Sequence, residues 1–231
     1  MNESPAPNQS ASSGMSTLDM GVGATLKALL KHPDQIVVQL QHDKKGRLIT
    51  SLLFITIACL AGYGIVVGSF SGAEQLWAAP VKVTLGTFLS AFMCLPSLFI
   101  FSCFSGVDVK FSETRGLLYA MLTLNSILLI GFAPVAWIFS QSTESLVFMG
   151  TLHLVFWSVG IWYGLRILYH GLRDINAGNR GHLDVWGFIF VMVALQMSTA
   201  LRPIVGTSET FLPVEKKFFL AHWADCMRPN N

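Results

Sequence analysis

Five apolar runs dominate the chain, separated by short polar stretches. They extend roughly from Leu48 to Phe70, Val83 to Phe104, Gly116 to Ser140, Leu146 to Leu168 and Val185 to Leu201. A hydrocarbon core of about 30 Å takes about 20 helical residues at about 1.5 Å each, so each run predicts a transmembrane helix. None contains Asp, Glu or Lys, and Arg166 lies near the end of the fourth, where its stem can reach the interface. Membrane strands would instead alternate apolar and polar positions over about ten residues. The predicted fold is all-α: a polytopic membrane protein with a five-helix transmembrane bundle over residues 47–203.

Ahead of the first run the pattern changes twice. Residues 1–20 are rich in Ser, Pro, Asn and Ala and lack the basic start and apolar centre of a signal peptide. They read as a disordered tail. Within residues 21–46, Leu26, Leu29 and Leu30 share a helical face, His32-Pro33-Asp34 interrupts it, and Ile36, Val37 and Leu40 resume it. Pro33 with Asp34 behind it fits the start of a second short helix. Flanking lysines suit an amphipathic segment lying on an anionic cytoplasmic leaflet. A soluble cap packed on the loops is the other arrangement this pattern allows.

Composition strengthens the membrane reading. Of 231 residues, 52% are hydrophobic and 12% charged, against about a quarter charged in soluble domains, and the mean hydropathy is +0.56. A net charge of +2 is too small to suggest a nucleic-acid partner. Ten of the 15 Lys and Arg residues fall before the first run or in the connections on that side. Lys82, Arg202, Lys216, Lys217 and Arg228 fall on the other. The positive-inside rule then places the N-terminus in the cytoplasm and the C-terminal tail, 204–231, outside.

Chemistry leaves fewer marks. There is no HExxH, GxSxG or P-loop pattern, and the six histidines and four cysteines show no metal-ligand spacing. The sequence therefore implies no catalytic residue, no metal and no cofactor. Ion-coupled pumps and voltage sensors hold charges inside their spans, and these runs do not. The polar side chains within them, hydroxyls and tyrosines aside, are Asn125, His153 and Gln196. His153 and Gln196 lie about 10 and 8 Å from the outer ends of their spans, where they could meet. Such groups either bond helices together or line a ligand site.

Gly64 with Gly68, and Gly160 with Gly164, have the GxxxG spacing that permits close helix approach, within the bundle or between two copies of the chain. Pro96 and Pro134 each remove a backbone hydrogen bond and can kink a span. Arg202, followed by Pro203, falls where the fifth run meets the interface. It can pair there with a lipid phosphate or with Glu74, Glu144 or Glu209.

Three segments together carry a resemblance. They are Ala79-Pro80-Val81-Lys82 through Leu95-Pro96-Ser97-Leu98 to Phe104-Ser105-Gly106; Phe132-Ala133-Pro134-Val135; and Gln196-Met197 with Leu201-Arg202-Pro203-Ile204-Val205-Gly206. In order and spacing, the chain from Leu26 to Gly206 resembles bacterial five-span membrane proteins related in pattern to the Yip (Ypt-interacting) family. The resemblance implies five helices in a bacterial inner membrane and brings no catalytic residues. The expected function is non-catalytic: a scaffold, assembly or partner subunit whose contacts are the lipid bilayer and either a protein partner or a second copy of the chain. The alternative is a passive small-molecule permease or lipid-handling protein with a cavity near Pro96, His153, Gln196 and Arg202.

Overall fold

The computed structural model describes residues 21–31, 33–41, 46–70, 75–106, 109–143, 145–175 and 181–200. The tail readings for 1–20 and 204–231, and the interface reading for Arg202, lie outside those residues. Within them every regular element is a helix: α1 (Val22–Lys31), α2 (Pro33–Gln41), α3 (Gly46–Phe70), α4 (Gln75–Phe104), α5 (Phe111–Ser142), α6 (Leu146–Ile175) and α7 (Gly181–Ala200). The helices α3 to α6 are each long and apolar enough to cross a membrane. The fifth run is helical as far as Ala200, but its apolar part, Gly181–Met197, is shorter than the other four. The chain is a multi-pass helical membrane protein.

The largest departure from the expected boundaries is in α4. It begins at Gln75, about two turns before Val83, and runs through Pro80 and Pro96. Lys82 thus belongs to the helix rather than to a connection. The reason is periodicity. Ala79, Lys82, Gly86, Ser90, Cys94 and Leu98 recur every three or four residues and are all buried, whereas Val81, Leu85, Leu89, Phe92 and Met93 are exposed. The inward stripe of α4 continues past its one charge, and the lysine's four-carbon stem lets it lie along apolar neighbours. At the other end, Gly106 has φ 77°, a left-handed conformation that glycine adopts freely at a helix stop. The Ser105 N–H there donates to the Phe101 carbonyl at 3.0 Å.

Packing order follows from the faces. α5 lies against α3 on one side and α6 on the other, and α4 lies against α3 and α7. Gly64 brings α3 onto the backbone of α4: a Cβ at Gly64 would stand 2.5 Å from the Pro80 Cα. The inward faces then close a core that includes Leu52, Leu98, Leu118, Met121, Leu168, Trp186 and Phe190.

The N-terminal segment packs on the bundle as a cap. Leu29, Ile36, Val37 and Leu40 are buried in the same core. A Cβ on Gly116 of α5 would stand 2.7 Å from the Leu40 Cδ2, and one on Gly171 of α6 would collide with Leu117 and press on Val37. Helix length accounts for this. α5 has 32 residues and α6 has 30, or about 48 and 45 Å at 1.5 Å per residue. Both exceed the roughly 30 Å core, so their ends project and offer apolar flanks that α1 and α2 cover. The bundle therefore has a cap end and a far end.

Candidate functional site

Three of the expected site residues act in the packing of α6 on α5. Asn125 is 1% exposed, and its side chain lies where a Cβ on Gly160 would have to go. One turn on, a Cβ on Gly164 would stand 2.9 Å from the Met121 carbonyl oxygen. The GxxxG pair of α6 is thus occupied within the chain. Neither the Asn125 Nδ2 nor its Oδ1 has a hydrogen-bond partner; the Gly160 Cα–H facing the amide supplies only a weak contact. Gly64 likewise serves α4, and Gly68 is buried on α3.

Hydroxyls bind α3 to α5 at a similar depth. Thr56 and Thr123 share a hydrogen bond of 2.9 Å between their Oγ1 atoms, and the Thr123 hydroxyl is also 3.2 Å from the Leu52 carbonyl. The Trp186 Nε1 donates at 3.2 Å to the Cys94 carbonyl and to the Ser97 Oγ, on either side of Pro96. Pro96 itself is exposed on the lipid side and lies eight residues from the cap end of α4. The structure therefore does not bring it to His153, which lies near the opposite end. Pro134 is also exposed, within an unbroken α5.

A different set of polar residues lies at a common depth near the far end. The Tyr63 Oη and the His153 Nδ1 are 2.6 Å apart, with the rings edge-to-face at 5.6 Å between centroids. His153 is thus bonded to α3 rather than, as its depth suggested, to Gln196. Tyr63, Lys82 and His153 each lie seven residues from the far end of their helix, about 10 Å at 1.5 Å per residue. Because Gly64 touches Pro80, Tyr63 and Lys82 also lie at the closest approach of α3 and α4. Lys82 is 1% exposed. Thr84, two residues further along α4, has a buried Oγ1 without a hydrogen-bond partner, and so has the Nε2 of His153. Gln196, four residues from the end of α7, approaches this depth from the other side of α4.

The layer has a definite hydrogen-bonding character. A phenol donates readily to an imidazole nitrogen. Whichever of the two groups donates, the buried His153 Nε2 is left without a hydrogen-bond partner. Such an unsatisfied buried group costs about 1–3 kcal/mol. Lys82 supplies an ammonium and Thr84 a hydroxyl. Among the described residues no three His, Cys, Asp or Glu side chains gather as a metal site would need.

Sequence reasoning singled out His153 but not Tyr63 or Lys82. The signals were the inward stripe through Ala79, Lys82 and Gly86 and the equal spacing of three polar side chains from their helix ends. Fold and layer together define a multi-pass all-α membrane protein with buried polar side chains near one end. No protein-family model matches the chain, and neither a curated protein nor a solved structure does.

Proposed function

We propose that this protein is non-catalytic and handles a polar small molecule or a lipid, holding it at the far-end layer of the bundle. The observation that carries this reading is the Tyr63–His153 hydrogen bond, with its unmet Nε2, on the level of Lys82. Inward ionisable groups within a span are costly, and their ordinary explanation is a ligand or transport path. The test is gentle detergent extraction of the tagged chain followed by native mass spectrometry. A lipid or small molecule should remain bound to the wild type and be lost from a folded His153→Leu variant. A wild-type chain that carries nothing but protein would refute the proposal.

A partner or scaffold role is the second reading, and the cap favours it. Its buried face holds the bundle, yet Val22, Leu30 and Val38 remain exposed beside Lys27 and Lys31. Under that reading the same extraction yields a stoichiometric protein partner, and Leu30→Glu releases it. The Yip-like relationship, the inner-membrane location and the N-in, C-out orientation belong to the proposal. They are supported by the three quoted segments and the imbalance of Lys and Arg. A reporter active only in the cytoplasm should work when fused to the N-terminus and fail at the C-terminus.

A further inference from the structure

We infer that the outward stripe of α6 at the cap end is a binding site for an anionic phospholipid, separate from the far-end layer. At about 3.6 residues per turn, Gly160, Gly164 and Gly171 share one side of α6, the side that packs on α5 and the cap. Val155, Trp162, Arg166, His170 and Arg173 share the opposite side, and all five are exposed. Helix register alone makes them neighbours. Arg166 is one turn beyond Trp162, and Arg173 is two turns, about 10.5 Å, beyond Arg166. The His170 Nδ1 donates to the Arg166 carbonyl oxygen at 2.7 Å, which holds the ring over the turn that follows Arg166.

Depth sets what this stripe meets. Gly160 lies against Asn125 and Gly164 against Met121, so α6 runs antiparallel to α5 with Arg166 at about the level of Tyr119. Trp137, exposed near the far end of α5, marks one membrane boundary. Tyr119 is 18 positions from it, about 27 Å at 1.5 Å per residue, close to the roughly 30 Å core. Arg166 therefore lies at the opposite boundary, with Val155 and Trp162 among the lipid chains and Arg173 among the headgroups.

Charge selects the lipid. Among the described residues neither Arg166 nor Arg173 has an ion-pair partner, and α6 carries no Asp or Glu ahead of Arg173. Asp184, in the first turn of α7, is exposed at the same end and pairs with neither. Guanidinium groups bind phosphate oxygens bidentately. A zwitterionic lipid leaves the two positive charges uncompensated, whereas an anionic one offsets them while its chains cover Trp162 and Val155.

The experiment uses the purified full chain in a neutral detergent, offered equal amounts of phosphatidylglycerol and phosphatidylcholine with the same acyl chains. Native mass spectrometry reads the ratio retained, and each variant is checked by its thermal midpoint. The wild type should retain phosphatidylglycerol preferentially. Arg166→Gln with Arg173→Gln should lower that preference by about fivefold for each arginine, and Arg166→Lys with Arg173→Lys should keep most of it. Should the double variant fail to fold, Arg173→Gln alone replaces it, with an expected loss of about fivefold. Lys27→Gln with Lys31→Gln removes the same charge from α1 and should leave the preference intact. Equal retention of the two lipids, an equal loss in the Lys27 and Lys31 variant, or displacement of the lipid by excess inorganic phosphate overturns the inference. His153→Leu separates it from the far-end reading. Anionic lipid lost from the arginine variant but kept by His153→Leu supports the α6 site. The reverse overturns it and leaves the far-end reading standing.

Discussion

At the cap end, α4, α5, α6 and α7 meet through Leu98, Leu118, Met121, Leu168, Trp186 and Phe190, and two further helices press Leu29, Val37 and Leu40 against them. At the far end the same bundle buries Tyr63, Lys82 and His153 with the Thr84 hydroxyl, and leaves the Thr84 Oγ1 and the His153 Nε2 without a hydrogen-bond partner. The first region resembles the close-packed interior of any stable bundle, in which each side chain is fixed by its neighbours. The second forgoes hydrogen bonds that the same positions would not need if they were leucine. The contrast shows where this molecule keeps its stability and where it accepts strain. Substitutions at the cap end should change folding, and substitutions at the far end should change binding.

The largest effect that would sharpen this contrast is expected from Trp186→Ala. It removes a fully buried indole stacked on Phe190 at 5.4 Å, together with its bonds beside Pro96. A loss of about 3–5 kcal/mol is expected, measurable by denaturant unfolding in detergent. A loss below that of a far-end variant would break the distinction.

A smaller effect, about 1–3 kcal/mol, is expected for Gly160→Ala, whose methyl enters the space of the Asn125 side chain. Because the obstacle is one side chain, Asn125→Ala should relieve most of that loss in the double variant. Purely additive losses would show that the two do not meet. The Gly164 position offers no such rescue, since its neighbour is the Met121 backbone carbonyl.

The smallest stability effect belongs to Tyr63→Phe. It deletes one interhelical hydrogen bond in a span, worth about 0.6 kcal/mol on average, and should barely move the thermal midpoint. It should nonetheless weaken ligand retention, because His153 is then free to change tautomer. A large fall in stability with retention unchanged would assign Tyr63 to packing instead.

Legibility differed between these regions for a physical reason. The cap-end helices announced themselves by long apolar runs, and Leu29, Ile36, Val37 and Leu40 by their spacing. Whether that amphipathic face met lipid or protein depended on α5 and α6 projecting beyond the core, which no local pattern states. Asn125 was visible as a polar group in a span, but its neighbour Gly160 is 35 positions away on another helix. A charge beside an apolar run has the pattern of a boundary, as Lys82 does, although α4 runs through it. Only the continuation of the inward stripe shows that the helix absorbs it.

By itself, then, the sequence determined the all-helical class, the approximate positions of the spans and the capacity of Gly64, Gly160 and Gly164 for close approach. Those properties depend on hydrophobic run length and on the absence of a side chain, both local quantities. The tertiary structure decided that Gly160 receives Asn125, that the N-terminal pair is a cap, and that His153 bonds to Tyr63 on the level of Lys82. Each is a matter of register between helices. Register is set by how whole faces interlock, and residues distant in the chain share no signal until those faces have met.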